Sequence, residues 1–161
     1  MKTLIVYYTY TGHTKMIAEK IRKVLNCDIL ELEMKEPYPK DYDYVVDIAQ
    51  TQAYEKYTPE LKEFDKNIDE YDKIILGMPV WWYTFAPAIR TFLIKTNLKG
   101  KVIIPFATNA GWLGHTLEDV KTLCKEAKVE HEMDICFTQD YLENKLVTSE
   151  KIIDEWIETL K

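Results

Sequence analysis

The sequence predicts a doubly wound α/β fold: a five-stranded parallel sheet in the order 2-1-3-4-5, with helices on both faces. Three observations predict it. Short, wholly apolar runs alternate with helical stripes along the chain, which is how strands buried on both faces read. The glycines and tryptophans gather just past the predicted strand ends. The length of 161 residues, 47% of them apolar, suits one domain over residues 1–161 with a proper core.

The strands are predicted at residues 4–8, 29–32, 74–78 and 102–107, with a weaker fifth at 133–137. Ile17, Ala18, Ile21, Val24 and Leu25 recur at helical spacing after the first. Tyr42, Val45, Val46, Ala49 and Ala53 form a second stripe, which Thr58-Pro59 is expected to end. Ile89, Phe92 and Leu93 follow Pro87, a good first helical residue. Leu117, Val120, Leu123 and Cys124 form a fourth stripe, and Thr116 with Asp119 reads as its capping box. Ile152, Ile153, Trp156, Ile157 and Leu160 complete the set after Ser149, the only serine. The segment 36–41, Glu-Pro-Tyr-Pro-Lys-Asp, is a turn-rich connection inside the domain.

Composition narrows the function. A formal net charge of -6 argues against nucleic acid, which needs a concentrated basic surface. No apolar run reaches membrane-spanning length, and the first residues lack a signal-peptide pattern. Three scattered cysteines, Cys27, Cys124 and Cys136, suit free thiols in a reducing compartment. The expectation is a cytoplasmic protein with no membrane or nucleic-acid partner. His13, His115 and His131 have no metal-ligand spacing with one another or with the cysteines, so no metal is expected. His131 is expected on a surface strand, and His13 near a phosphate without a proton-transfer role.

The first predicted strand runs into Thr9, Tyr10, Thr11, Gly12, His13 and Thr14. A buried strand ending in hydroxyl residues around one glycine, then a helix, suits an anion. The first N–H groups of a helix are unpaired and its dipole favours negative charge there. No acid occurs before Glu19. An ordinary strand–helix turn is the plainer alternative. The stretch is neither a P-loop nor a dinucleotide fingerprint.

Ligands of open α/β sheets bind beyond the strands' carboxyl ends, where the strand order reverses. In the order 2-1-3-4-5 three decorated loops meet there. Pro79, Val80, Trp81, Trp82 and Tyr83 offer flat aromatic area. Thr108, Asn109, Ala110, Gly111 and Trp112 offer backbone amides, one side-chain amide and another ring. Burial of both Trp81 and Trp82 in the core is the alternative. It requires both sheet faces to be covered, since neighbours in a strand point oppositely. A ligand with a phosphate at one end and a flat polar ring at the other satisfies all three loops, and FMN has that shape. Hydrolytic catalysis lacks a candidate nucleophile, and no side chain reads as a proton donor.

These motifs resemble the flavodoxin family, closest to its short-chain, flavodoxin-like branch in anaerobic and lactic bacteria. The resemblance rests on the stretch 8–14, on Pro37-Tyr38-Pro39, on Tyr71-Asp72, on 77–87 and on 105–109, all in order. It implies the flavodoxin-like fold and noncovalent FMN. The phosphate would lie on Thr9 to Thr14, and the isoalloxazine against Pro79 to Tyr83 and Thr108 to Trp112. Two departures stand out. Many relatives have glycine where this chain has Tyr83, a position at which flavodoxins flip a peptide toward the reduced flavin. The third loop lacks the usual glycine- and serine-rich character, and Trp112 is a candidate cover for the ring.

One further pattern bears on function. No Asp or Glu occurs from Lys73 to Leu117, in a chain holding 27 of them, while Arg90 and four lysines lie there. Electron-carrying flavodoxins usually surround the flavin with acids, which keep it strongly reducing and steer basic partners. A neutral-to-positive flavin face is therefore expected. Two readings follow: an FMN carrier shuttling electrons between redox proteins, or an FMN reductase taking hydride from NAD(P)H to quinones or other small aromatic acceptors. A flavin-free binding module is a third, less favoured. Oligomeric state has no signature in the sequence.

Overall fold

The computed structural model describes residues Met1–Lys161. Its elements run β1 (Thr3–Tyr7), α1 (His13–Leu25), β2 (Asp28–Glu31), α2 (Tyr42–Glu55), β3 (Lys73–Trp81), β4 (Thr84–Phe85), α3 (Pro87–Lys95), β5 (Val102–Asn109), α4 (Thr116–Leu123), β6 (Lys128–Val129), β7 (Met133–Cys136) and α5 (Glu150–Glu158). A single 3₁₀ turn, Ile68–Glu70, precedes β3.

The parallel order is β2-β1-β3-β5-β6, with β7 also pairing β5. This is the expected winding, but with seven strands in place of five. Two local features make the difference. The expected fifth strand, 133–137, is found as β7, but the sheet edge it forms is split, because a further short strand, β6, precedes it. Val129 pairs with Ile103 and Met133 with Phe106, so the edge strand spends one residue more than its neighbour over the same span. That is a β-bulge, and His131 sits in it at φ 53. His131 is thus a bulge residue, not the regular strand residue expected. Its carbonyl accepts from Trp156 Nε1 at 2.7 Å, which ties the bulge to α5. The other addition is β4, which folds back antiparallel on β3 through Trp82 and Tyr83.

The helices cover both faces. Leu4, Val6, Ile74, Leu76, Met78 and Ile103 pack on one side with Phe92 and Val120. Ile5, Ile75, Ile104 and Phe106 pack on the other with Ile17, Ile21, Trp156 and Ile157. Adjacent residues of each strand therefore alternate between two cores, and both are apolar, which explains the uninterrupted apolar runs. Burying each large side chain contributes about 1.5–3 kcal/mol.

Three details depart from the sequence expectation. Strand β3 runs past its predicted end at Met78 to Trp81, which leaves Gly77 well inside it. A methyl there would strike the Phe106 ring, so close packing selects this glycine. Thr116 does not cap α4: the position before the helix is His115, with no side-chain cap bond, and Thr116 Oγ1 donates to Leu113 O at 2.7 Å. Helix α2 ends at Glu55, three residues before Thr58-Pro59, because Lys56 turns left-handed at φ 54.

Candidate functional site

A cleft of ≈ 490 Å³ opens at the carboxyl ends of β1, β3 and β5. The sheet winding puts it there: chain leaves β1 for α1 on one face and β3 for α3 on the other, leaving a crevice between. At one end lies the β1–α1 turn. Gly12 takes φ 102, a left-handed conformation open to glycine without strain, and starts α1. The helical ladder begins with Met16 N–H donating to Gly12 O at 3.0 Å. The N–H groups of His13, Thr14 and Lys15 thus have no carbonyl partner within the helix. Tyr10 and Thr11 N–H also lack an acceptor, while Gly12 N–H donates to Thr9 Oγ1 at 3.1 Å. The first turn of α1 contains no acid. This donor set fits a phosphate group.

The other end is aromatic. Trp81 stands on the last residue of β3, not in a loop. Its indole meets Tyr8, Tyr10 and Tyr38 edge-on, with centroids 5.9, 5.7 and 5.2 Å away. Burial raises the pKa of Tyr10 and Tyr42, and pushes those of Tyr8 and Tyr38 well above the usual phenol value. Trp82 and Tyr83 form the two-residue β3–β4 turn, at φ 51 and 68. Both are left-handed, as a tight hairpin demands, although neither is glycine. The turn is held on two sides. Trp82 Nε1 donates to Val46 O of α2 at 2.8 Å, and Tyr83 O accepts from His115 N–H at 2.8 Å. Gly114 allows the second contact, since a methyl there would lie 2.5 Å from Tyr83 Cα and Cβ.

Of the sixteen residues expected at the ligand site, twelve line this cleft: Tyr10, Thr11, His13, Pro79, Val80, Trp81, Trp82, Tyr83, Thr108, Asn109, Ala110 and Trp112. Thr9, Gly12, Thr14 and Gly111 are not among the lining residues. Thr14 is buried, and its hydroxyl bonds Thr108 Oγ1 at 2.8 Å, which locks the start of α1 to the end of β5. Gly111 turns the third loop at φ 114, its N–H donating to Asn109 Oδ1 at 2.9 Å. Trp112 stands 61% exposed at the rim, not packed over the cleft.

Sequence reasoning missed two walls. Tyr42, Val45, Val46 and Ala49 of α2 line the cleft, as do Phe137, Thr138, Gln139 and Tyr141 after β7. The α2 stripe was visible in the sequence only as a helical apolar face, with no part of it assigned to the site. Only Val45 and Ala49 of it are buried, because the helix turns Tyr42 and Val46 to the cleft. The segment after β7 carries no motif. His13 stacks on Phe137, centroids 4.1 Å apart, and donates from Nε2 to Glu143 O at 2.7 Å.

The lining contains no Asp, Glu, Lys or Arg. It is neutral, at the lower end of the neutral-to-positive face expected. The bases of the acid-free stretch lie elsewhere: Lys73, the first residue of β3, and Lys101, just before β5, are at the opposite end of the sheet, reaching Leu160 O and Tyr71 O. Arg90 lies over the Phe85 ring. His115 lies outside the cleft, paired with Asp119, which also accepts from Thr84 Oγ1.

The chain is similar to several solved structures. One, from Bacteroides eggerthii DSM 20697 and provisionally named a flavoprotein, is 27% identical, with TM-score 0.79 over 98% of this chain and 96% of that one. A flavoprotein in complex with FMN, from Lactobacillus acidophilus NCFM, is 28% identical, with TM-score 0.73 over 83% and 91%. A flavodoxin from the domain Archaea shares the fold at 17% identity, with TM-score 0.59 over 98% and 92%. No curated protein sequence matches. No helix is long and apolar enough to cross a membrane. The model of the flavodoxin family matches residues 2–160. With this winding and a cleft at its switch point, the chain belongs to the flavodoxin family.

Proposed function

We propose that the cleft binds FMN noncovalently and that the protein carries electrons between redox partners in the cytoplasm. One observation carries the reading. A single cleft joins an acid-free set of unpaired N–H groups, at Tyr10, Thr11 and the start of α1, to aromatic walls. The phosphate accepts at the first end, and the flat ring lies against Trp82, Tyr83 and Ala110. The similar FMN-bound flavoprotein supports this choice of ligand. FMN supplies the redox chemistry when bound. The chain's own residues place it, exclude water with the Trp81 cluster, and set the charge around it.

A second reading is an FMN-dependent reductase that takes hydride from NAD(P)H and passes it to quinones or other small aromatic acceptors. Two observations favour it. No carboxylate lines the cleft, so nothing there opposes adding electrons to the ring. The Tyr83 carbonyl already serves His115 N–H, in a turn without glycine, so the backbone is poorly placed to reorient toward the ring. Family membership keeps the carrier reading ahead. Anaerobic reductive titration of the FMN-loaded protein, with NADPH addition in parallel, separates the two. Accumulation of the one-electron-reduced form without reduction by NADPH supports the carrier. Rapid bleaching by NADPH without that form supports the reductase.

A further inference from the structure

The segment after β7 is a loop with closed ends. Phe137 and Leu146 form an antiparallel bridge, and Thr138 N–H donates to Lys145 O at 2.9 Å. Its tip is braced internally, Leu142 N–H to Asp140 Oδ1 at 2.9 Å and Glu143 N–H to Asp140 O at 3.0 Å. A single hydrogen bond ties that tip to the rest of the fold: His13 Nε2 to Glu143 O, 2.7 Å. One ring pair adds to it. Tyr141 stacks flat on Tyr42 at the start of α2, centroids 3.7 Å apart and planes within 1°. One attachment is made by His13 at the β1–α1 turn, the other by Tyr42 at the start of α2, whose ring centroid lies 6.4 Å from that of Tyr10. Both Tyr42 and Tyr141 line the cleft, so their stack bridges it from the α2 side to the β7 side.

We propose that residues 138–146 are a gate over the cleft, latched by the Tyr42–Tyr141 stack and the His13–Glu143 hydrogen bond. Rings in van der Waals contact admit no third ring between them, so a flat ligand enters when the tip swings outward on its pinned ends. The latch is weak by construction. One partly exposed hydrogen bond and one aromatic pair together favour closure by roughly ten- to a hundred-fold. An open population of a few per cent, at about that ratio, is enough to admit a ligand and too small to release it freely. The latch strength then sets the rates of entry and exit more than the affinity.

The proposal rests on the FMN reading for the identity of the ligand alone, and two measurements keep the two apart. The first needs no ligand: hydrogen exchange of the apo protein. Tyr141→Ala raises exchange across 138–146 roughly three- to ten-fold, the worth of one aromatic pair, while Tyr141→Phe leaves it at the wild-type level. Equal exchange in all three proteins overturns the latch. The second is stopped-flow binding and release of FMN, followed by flavin fluorescence. Tyr141→Ala raises both the association and the dissociation rate by about the same factor, with Kd shifted less than either. A faster release with unchanged association means Tyr141 is an ordinary contact and overturns the gate. Failure of the wild type to bind FMN removes the FMN reading, and the exchange result still decides on the latch.

Discussion

Gly114→Ala is the sharpest test of how the cleft's aromatic wall is positioned. Gly114 has φ +60, and a methyl on it would land on the Tyr83 backbone, 2.5 Å from Cα. Those are main-chain atoms, which cannot swing aside. Three costs add. The left-handed backbone costs alanine about 1–2 kcal/mol. Relieving the overlap costs about 1–3 kcal/mol. Shifting the turn breaks the His115 N–H to Tyr83 O bond, worth about 0.5–1.5 kcal/mol net. A total of about 2.5–6.5 kcal/mol is expected, on the order of 5–26 °C in Tm for a domain of this size. Gly100→Ala is the internal control. It has φ +76 but nothing within 4 Å of the added methyl, so it incurs the backbone cost alone. Urea unfolding of both variants isolates the close approach as the difference. Equal destabilisation would refute the claim that Gly114 exists to admit the Tyr83 turn. The same variant also displaces the wall, so FMN binding weakens in Gly114→Ala and not in Gly100→Ala.

The remaining expectations are shorter. Trp82→Ala removes both a wall of the cleft and the indole bond to Val46 O, and FMN affinity falls about ten- to a hundred-fold by fluorescence titration, the scale of an aromatic face plus a hydrogen bond. Alkali unfolds the protein through its phenols. Tyr71 is raised to about 12, chiefly by its bond to Asp28, and Tyr7, Tyr8 and Tyr38 are raised chiefly by burial. A raised folded value means the stability is complete below the unfolded value near 10 and is lost as pH climbs. Absorbance titration at alkaline pH therefore shows these four ionising late and together with loss of structure. At the acid end the sign reverses for Asp28, held below the usual range by the Tyr71 hydroxyl: its contribution is present above the unfolded value and lost as pH falls, and Tyr71→Phe abolishes that dependence. Burial raises the Cys124 thiol to about 11, so it alkylates more slowly than Cys27 or Cys136, its rate following unfolding.

The winding was legible because burial on both faces writes a run of apolar residues that few other environments produce. The residues that face both cores, Ile74 to Met78, need no partner to be recognised. The split edge strand was not legible. A bulge at His131 depends on Trp156 Nε1 reaching its carbonyl from α5, a contact between segments far apart in sequence. The β3–β4 turn was hidden for a related reason. Trp82 and Tyr83 are poor turn residues by propensity, and they adopt left-handed angles because Val46 O and His115 N–H hold them there. The site divided likewise. Loops that follow strands directly do meet at one cleft, since topology alone brings their ends together. The Thr14 hydroxyl turns away from the cleft because its direction is set by its partner, here Thr108, which leaves only its N–H at the turn. The walls from α2 and residues 137–141 have no local signature, and the rotation of α2 about its axis decides which of its apolar residues meet the cleft.

The central claim is that one cleft takes a phosphate at the β1–α1 turn and a flavin ring at the aromatic walls. Parallel titration of the apo protein with FMN and with riboflavin, which lacks the phosphate, tests it most directly. The account predicts one FMN per chain, strong quenching of flavin fluorescence by the surrounding indoles and phenols, and riboflavin binding weaker by at least roughly ten-fold, the loss of one charge-assisted hydrogen bond or more. No binding of FMN, or riboflavin bound as tightly as FMN, would contradict it.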